Sequence, residues 1–455
     1  MSKERTKTKD GMQVYKLENV FTPTSPAFVT FVDRGERING KLMRALTTPG
    51  KQIIIYGHSG SGKTTLLLNK ISGIYSRYVK TMCMESMSFE QIVLDAFDQM
   101  GKFIIDEKVV AKKVGISSQV SSDFWAIKNQ TTLSGEISSS EKQKAVLPPQ
   151  LTPQRLAKFF GDINACWILE DFHKIKQDEK KKASQIMKVF MDSAADSPAV
   201  KIIAIGAVNT GRQVIEFDRE MNTRVAELEV PLLSKEELKE IILKGEAKLN
   251  IIFSLEVIDR IVDISSGLAS ICHQLCLNCC LNLDIKDTSE FKIKITMDDL
   301  QNAVKDYIDD NSASLKWKFD VAVKPIVVNG KSSSLPKKVL EYMAQSKDDE
   351  ISFDKLCRKF EHECKSNNVD LKHVLGQLIG ADKGEVLNYY EQSDAYGFSD
   401  HFIKSYFICM MDNKDRNVKN EYFLQKIYEQ FTKELNKEGD AGDFEIDELD
   451  DLFRN

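Results

Sequence analysis

Residues Gly57-His58-Ser59-Gly60-Ser61-Gly62-Lys63-Thr64 constrain this chain more than any other stretch. They fit the spacing G-x-x-x-x-G-K-[ST], and they stand where that spacing has physical meaning. The apolar run 51–56 (KQIIIY) reads as a strand before them, and TTLLLNKI has helical spacing after them. Glycines let the backbone curl so that successive N–H groups face one point, and the helix N-terminus adds partial positive charge. An anion is the expected guest, cradled by residues 57–62. Lys63 can reach the outer phosphates of a nucleotide, the Thr64 hydroxyl suits a nucleotide-bound Mg²⁺, and Thr65 opens the helix beside it.

A P-loop of this kind needs an acidic partner on a neighbouring strand. The run Cys166-Trp167-Ile168-Leu169-Glu170-Asp171 supplies it, with four apolar residues ending in two carboxylates. Acids at the carboxyl end of a parallel strand lie where open α/β sheets bind ligands. Glu170 is expected in the Mg²⁺ shell, through Thr64 and the nucleotide, and Asp171 beside the attacking water. The common order is Asp then Glu, so the swap shortens the expected base by one methylene.

The remaining chain alternates strand and helix in the way that builds a parallel sheet covered on both faces. Residues 78–85 and 200–206 read as further strands, and Ser88 starts an amphipathic helix over 88–100. Residues 106–150, rich in Ser, Lys and Gln, are too long for an ordinary connection and read as an insertion. After Pro231 several helices follow without strands. The expected organisation is a flexible N-terminal arm over 1–25, an ATPase core over 26–231, a helical lid over 232–330, a winged-helix-like domain over 331–412, and a helix with an acidic tail over 413–455. The fold class is α/β, a P-loop NTPase parallel sheet with an all-α lid and a C-terminal winged helix.

Charge and composition narrow the partners. The 455 residues hold 63 Lys and Arg against 68 Asp and Glu, a formal charge of −5 that excludes a chain-wide basic coat for nucleic acid. The last eighteen residues hold eight carboxylates against one arginine, so the body is nearer neutrality and DNA stays open on a local face. No stretch reaches the roughly 20 apolar residues that cross a bilayer. No apolar segment follows the first ten residues, and the nine cysteines lack a disulfide-scaffold spacing, so a reduced cytoplasmic setting without a membrane is expected. Cys272, Cys276, Cys279 and Cys280 recur at i, i+4, i+7 and i+8, the periodicity of a buried helix face.

Taken together, the motifs resemble AAA+ or STAND-type P-loop ATPases of the clade that includes archaeal and eukaryotic replication-initiator ATPases. They are also similar to bacterial ATPases with EDFH at the acidic strand, here Glu170-Asp171-Phe172-His173. The resemblance spans about residues 28–310 by motif and 334–411 by pattern. It implies that Phe31 and Arg34, in Phe31-Val32-Asp33-Arg34, lie on the adenine side. It also implies that Asn209 is a sensor near the γ-phosphate, and that Arg224 acts on a neighbouring subunit's nucleotide in a homo-oligomer. The lid lacks the expected sensor arginine, since Ser266 to His273 reads SGLASICH. Two biological readings follow. One is an ATP-driven switch that assembles with a protein effector, in bacterial anti-phage defence by resemblance. The other is a DNA-binding ATPase of replication initiation or transposition that contacts DNA through 369–398. A third keeps ATP as a structural ligand.

Overall fold

The computed structural model describes residues 8–9, 12–100, 152–207, 223–310, 313–328, 331–346, 348–367 and 369–411. The insertion at 106–150, Asn209 and the acidic tail lie outside the described residues. The chain divides into two compact units, 1–299 and 300–455, and that division falls inside the 232–330 range assigned to the lid by helical periodicity.

In the first unit five parallel strands form one sheet: β1 (Gln52–Tyr56), β2 (Arg77–Met82), β3 (Ala165–Glu170), β4 (Lys201–Gly206) and β5 (Val225–Glu229), in spatial order β2-β3-β4-β1-β5. The period-2 alternation of side chains divides each strand between two cores. Ile54, Trp167, Leu169, Ile202 and Ala204 face one side, against α3 (Phe89–Gln99), α4 (Pro153–Asp162) and α5 (Gln177–Asp192). Ile53, Ile55, Cys166, Ile168, Ile203 and Ile205 face the other, against α1 (Gly35–Thr47) and α2 (Lys63–Ile71). A parallel sheet buried on both faces explains why its strands read as continuous apolar runs. Ser88 caps α3 with a reciprocal box to Gln91, where the sequence places the helix start.

Three helices build the lid: α6 (Lys235–Leu249), α7 (Leu255–Ser265) and α8 (Ala269–Asn282). A short parallel pair, Ile251–Phe253 with Ile293–Ile295, accompanies them. The four cysteines of α8 are fully buried, as their periodicity requires. The flexible arm expected over 1–25 needs correction at its end. Residues 13–25 are docked, with Tyr15 and Thr288 exchanging hydrogen bonds of 2.8 and 3.0 Å. Phe21 is wholly buried, 6.4 Å from the Phe253 ring and 6.1 Å from His273. Polar composition suggested an arm, but three apolar anchors, Leu17, Val20 and Phe21, hold it down.

In the second unit the helices Leu335–Gln345, Phe353–Asn367 and Leu371–Ile379 combine with a three-stranded antiparallel sheet. Its order is Ile351–Ser352, Ala395–Phe398, Leu387–Tyr390. Helix, strand, helix, helix, strand, strand is the winged-helix succession. Lys372 and His373 are exposed on the third helix, and the wing turn carries Glu391 and Asp394.

Candidate functional site

Strand β1 ends at Tyr56, and the chain turns sharply through glycines with positive φ: 151° at Gly57, 76° at Gly60 and 85° at Gly62. A Cβ on Gly57 would meet the Val230 carbonyl oxygen at 2.3 Å, so backbone approach as well as φ demands glycine there. Gly62 then caps α2, and Lys63 begins it. Lys63 Nζ donates to the carbonyls of Gly57 at 3.0 Å and His58 at 2.6 Å. Burial pushes its ammonium below the usual lysine range, while Glu170 and Asp171 pull it back up. This is a P-loop fold.

The acidic strand meets the loop directly. Thr64 Oγ1 donates to Glu170 Oε1 at 2.6 Å across 106 residues of sequence. The second oxygen, Oε2, is buried with no hydrogen-bond partner, and Lys80 Nζ on β2 stands 4.0 Å from it. A hydroxyl and a half-satisfied carboxylate are hard oxygen donors of the kind Mg²⁺ prefers, so this pair fits a nucleotide-bound Mg²⁺. Asp171 sits at φ 56°, in the left-handed region, and its carboxylate is ion-paired with Lys174 at 2.6 Å. His173 follows in the same turn, which Lys180 fastens by donating to its carbonyl at 2.9 Å.

These groups open on a cleft of about 410 Å³. Ser59, Gly60, Gly62, Lys63, Thr64, Thr65, Glu170, Asp171, Phe31 and Arg34 all line it, whereas Gly57, His58 and Ser61 shape the loop behind. Phe31 is packed in the core face of α2, with Lys70 Nζ 5.5 Å from its ring centre. The Arg34 guanidinium is directed at protein acceptors: Ser61 O at 3.1 Å, Pro231 O at 2.6 Å, Leu232 O at 3.1 Å and Glu237 Oε1 at 3.1 Å. Arg224 lies apart from the cleft. It precedes β5 beside Lys51, six residues of strand before Gly57, so roughly 20 Å separates it from the loop. Its guanidinium pairs with Asp192 at 2.9 Å.

Beyond the motif residues the cleft has a further wall that sequence reading did not assemble. Thr22 to Ala27, Lys80, Met82, Ile241, Ser270 and His273 line it. His273 Nδ1 accepts from the Thr22 N–H at 3.1 Å, and burial holds its pKa down to about 4. None of these positions belongs to a motif, so local sequence does not single them out.

No family model matches the chain, and no curated protein matches it. Among solved structures it is similar to Cdc6p from Pyrobaculum aerophilum, with 12% identity and a TM-score of 0.41 over 87% of this chain and 97% of that chain. The ORC2 protein of Aeropyrum pernix in its ADPNP–ADP complexes gives 12% identity and 0.48 over 87% and 98%. The RuvB Holliday junction branch migration motor of Thermotoga maritima gives 12% and 0.37 over 83% and 95%. Strand order and loop geometry carry the fold in this chain by themselves. Among the described residues no helix is long and apolar enough to cross a membrane.

Proposed function

We propose that the chain is an ATP-binding, ATP-hydrolysing AAA+/STAND-like switch whose nucleotide state governs assembly with a protein effector. The observation that carries this reading is the 2.6 Å bond from Thr64 to Glu170, which unites the phosphate loop and the acidic strand at the mouth of one cleft. Lys63 and the loop N–H groups hold the phosphates. Thr64 and Glu170 hold Mg²⁺, which when bound supplies positive charge to the phosphate oxygens. Asp171 orients the water that attacks, once its carboxylate leaves Lys174. Asn209 and Arg224 complete the proposal as a sensor and as a finger offered to a second copy, since Arg224 is too far from its own loop.

Lys63→Ala removes a charge-assisted donor, and ATP affinity should fall between about tenfold and a hundredfold. A fluorescence titration with undiminished binding would sink the assignment. Asp171→Asn should lower turnover by about a hundredfold or more while leaving binding intact. Full turnover in that variant removes Asp171 from the chemistry, and absence of turnover in the parent chain leaves ATP as a structural ligand.

The effector reading is favoured over DNA by the charge of the winged helix. Residues 369–398 hold two lysines, Lys372 and Lys383, against five carboxylates, and phosphate contacts need the opposite balance. The defence role rests on the EDFH resemblance. Phage plating on cells carrying the chain or its Lys63→Ala variant tests it, and equal plating on both removes it.

A further inference from the structure

Four backbone residues, 230–233, join the core to the lid, and each is held. The Val230 N–H donates to Tyr56 O at 2.8 Å, and its own carbonyl lies against Gly57 of the phosphate loop. The Leu233 N–H donates to Gly267 O at 2.9 Å on the lid side. Between them the carbonyls of Pro231 and Leu232 both accept from Arg34 Nη2. The same guanidinium donates through Nη1 to Ser61 O in the loop and ion-pairs through Nε with Glu237 in the first turn of α6. Only 5% of the Arg34 side chain is exposed, so it has no room to swing.

We propose that Arg34 is a positioning residue, a strut that carries the state of the phosphate loop into the hinge 230–233 and the lid helix α6. The inference rests on the nucleotide-binding reading above. Lys63 holds the carbonyls of Gly57 and His58, and Ser61 N–H in turn donates to His58 O at 3.2 Å. When a phosphate takes the Lys63 donors, those carbonyls are released, and both ends of the loop that touch the hinge shift with them. Through Val230 the movement reaches the hinge directly. Through Ser61 it reaches Arg34, whose planar guanidinium cannot yield on one contact without displacing the other three. Glu237 finishes the path, because its second oxygen accepts from the Ser234 N–H at 2.8 Å and closes the α6 cap.

Hydrogen exchange of residues 232–249 in the full chain, with and without ATP–Mg²⁺, tests this. In the parent chain ATP should slow exchange there. Glu237→Ala, outside the cleft lining, should bind ATP within about threefold of the parent but lose the slowing by about fivefold or more. Ser234→Ala breaks the same helix cap while keeping the Arg34–Glu237 pair, and it should retain the response. Arg34→Gln, which also alters the cleft lining, should lose the slowing at saturating ATP; if it fails to fold or to bind, the Glu237→Ala and Ser234→Ala pair decides. A full response in Glu237→Ala overturns the strut, as does equal loss in Ser234→Ala, which would assign the effect to capping. A parent chain that binds no ATP defeats the nucleotide reading itself.

Discussion

His273 shows how one buried side chain reports the state of the lid. Burial lowers its pKa from 6.5 to about 4, so the folded chain disfavours the imidazolium. The unfolded chain therefore binds the extra proton between those values, and stability falls as pH drops from about 6.5 towards 4. The loss is about 3 kcal/mol across that window. His273→Gln should flatten this part of a stability–pH profile measured by urea unfolding, and an unchanged slope refutes the assignment. Lys174 makes a second residue-scale case. Its pairing with Asp171 competes with the water-orienting role proposed for that carboxylate, so on that proposal Lys174→Ala should raise ATP turnover at saturating ATP, and a fall would show that the pair assists the reaction.

At the level of elements, glycines mark the places where backbone approaches backbone. Gly267 stands at φ 82°, and a Cβ there would meet Leu232 Cβ at 2.8 Å, so Gly267→Ala strains the lid entry twice over. Gly245, inside α6, would drive a Cβ to 2.2 Å from the Phe21 ring, which the docked segment places over the helix. Gly245→Ala should cost about 1–3 kcal/mol by overpacking, despite the gain in helix propensity, as read by chemical denaturation. A stabilised variant would mean that the segment 13–25 does not sit on the lid. The elements themselves were largely legible. Ser88, the alternating apolar runs and the loop glycines state their structure through neighbours a few residues away. The docked segment was not legible, because Phe21 is held by Phe253 and His273, more than two hundred residues away.

For the whole molecule, the residues lining the cleft run from Thr22 to His273 and belong to the first compact unit alone. If the units unfold separately, calorimetry should give two transitions, with ATP–Mg²⁺ raising only the one that belongs to residues 1–299. A shift of both would show that ligand binding stabilises the second unit as well. The phosphate loop, the acidic strand, the two-faced apolar runs and the winged-helix succession are all written in local sequence. These depend on φ preferences, side-chain alternation and caps, all of which act within a few residues. That Thr64 meets Glu170, that Arg34 turns its guanidinium to the hinge, and that Arg224 stands at the far end of the sheet emerge only from the packed fold. Those outcomes are set by which strands lie side by side and which helices cover them, and no local preference encodes that.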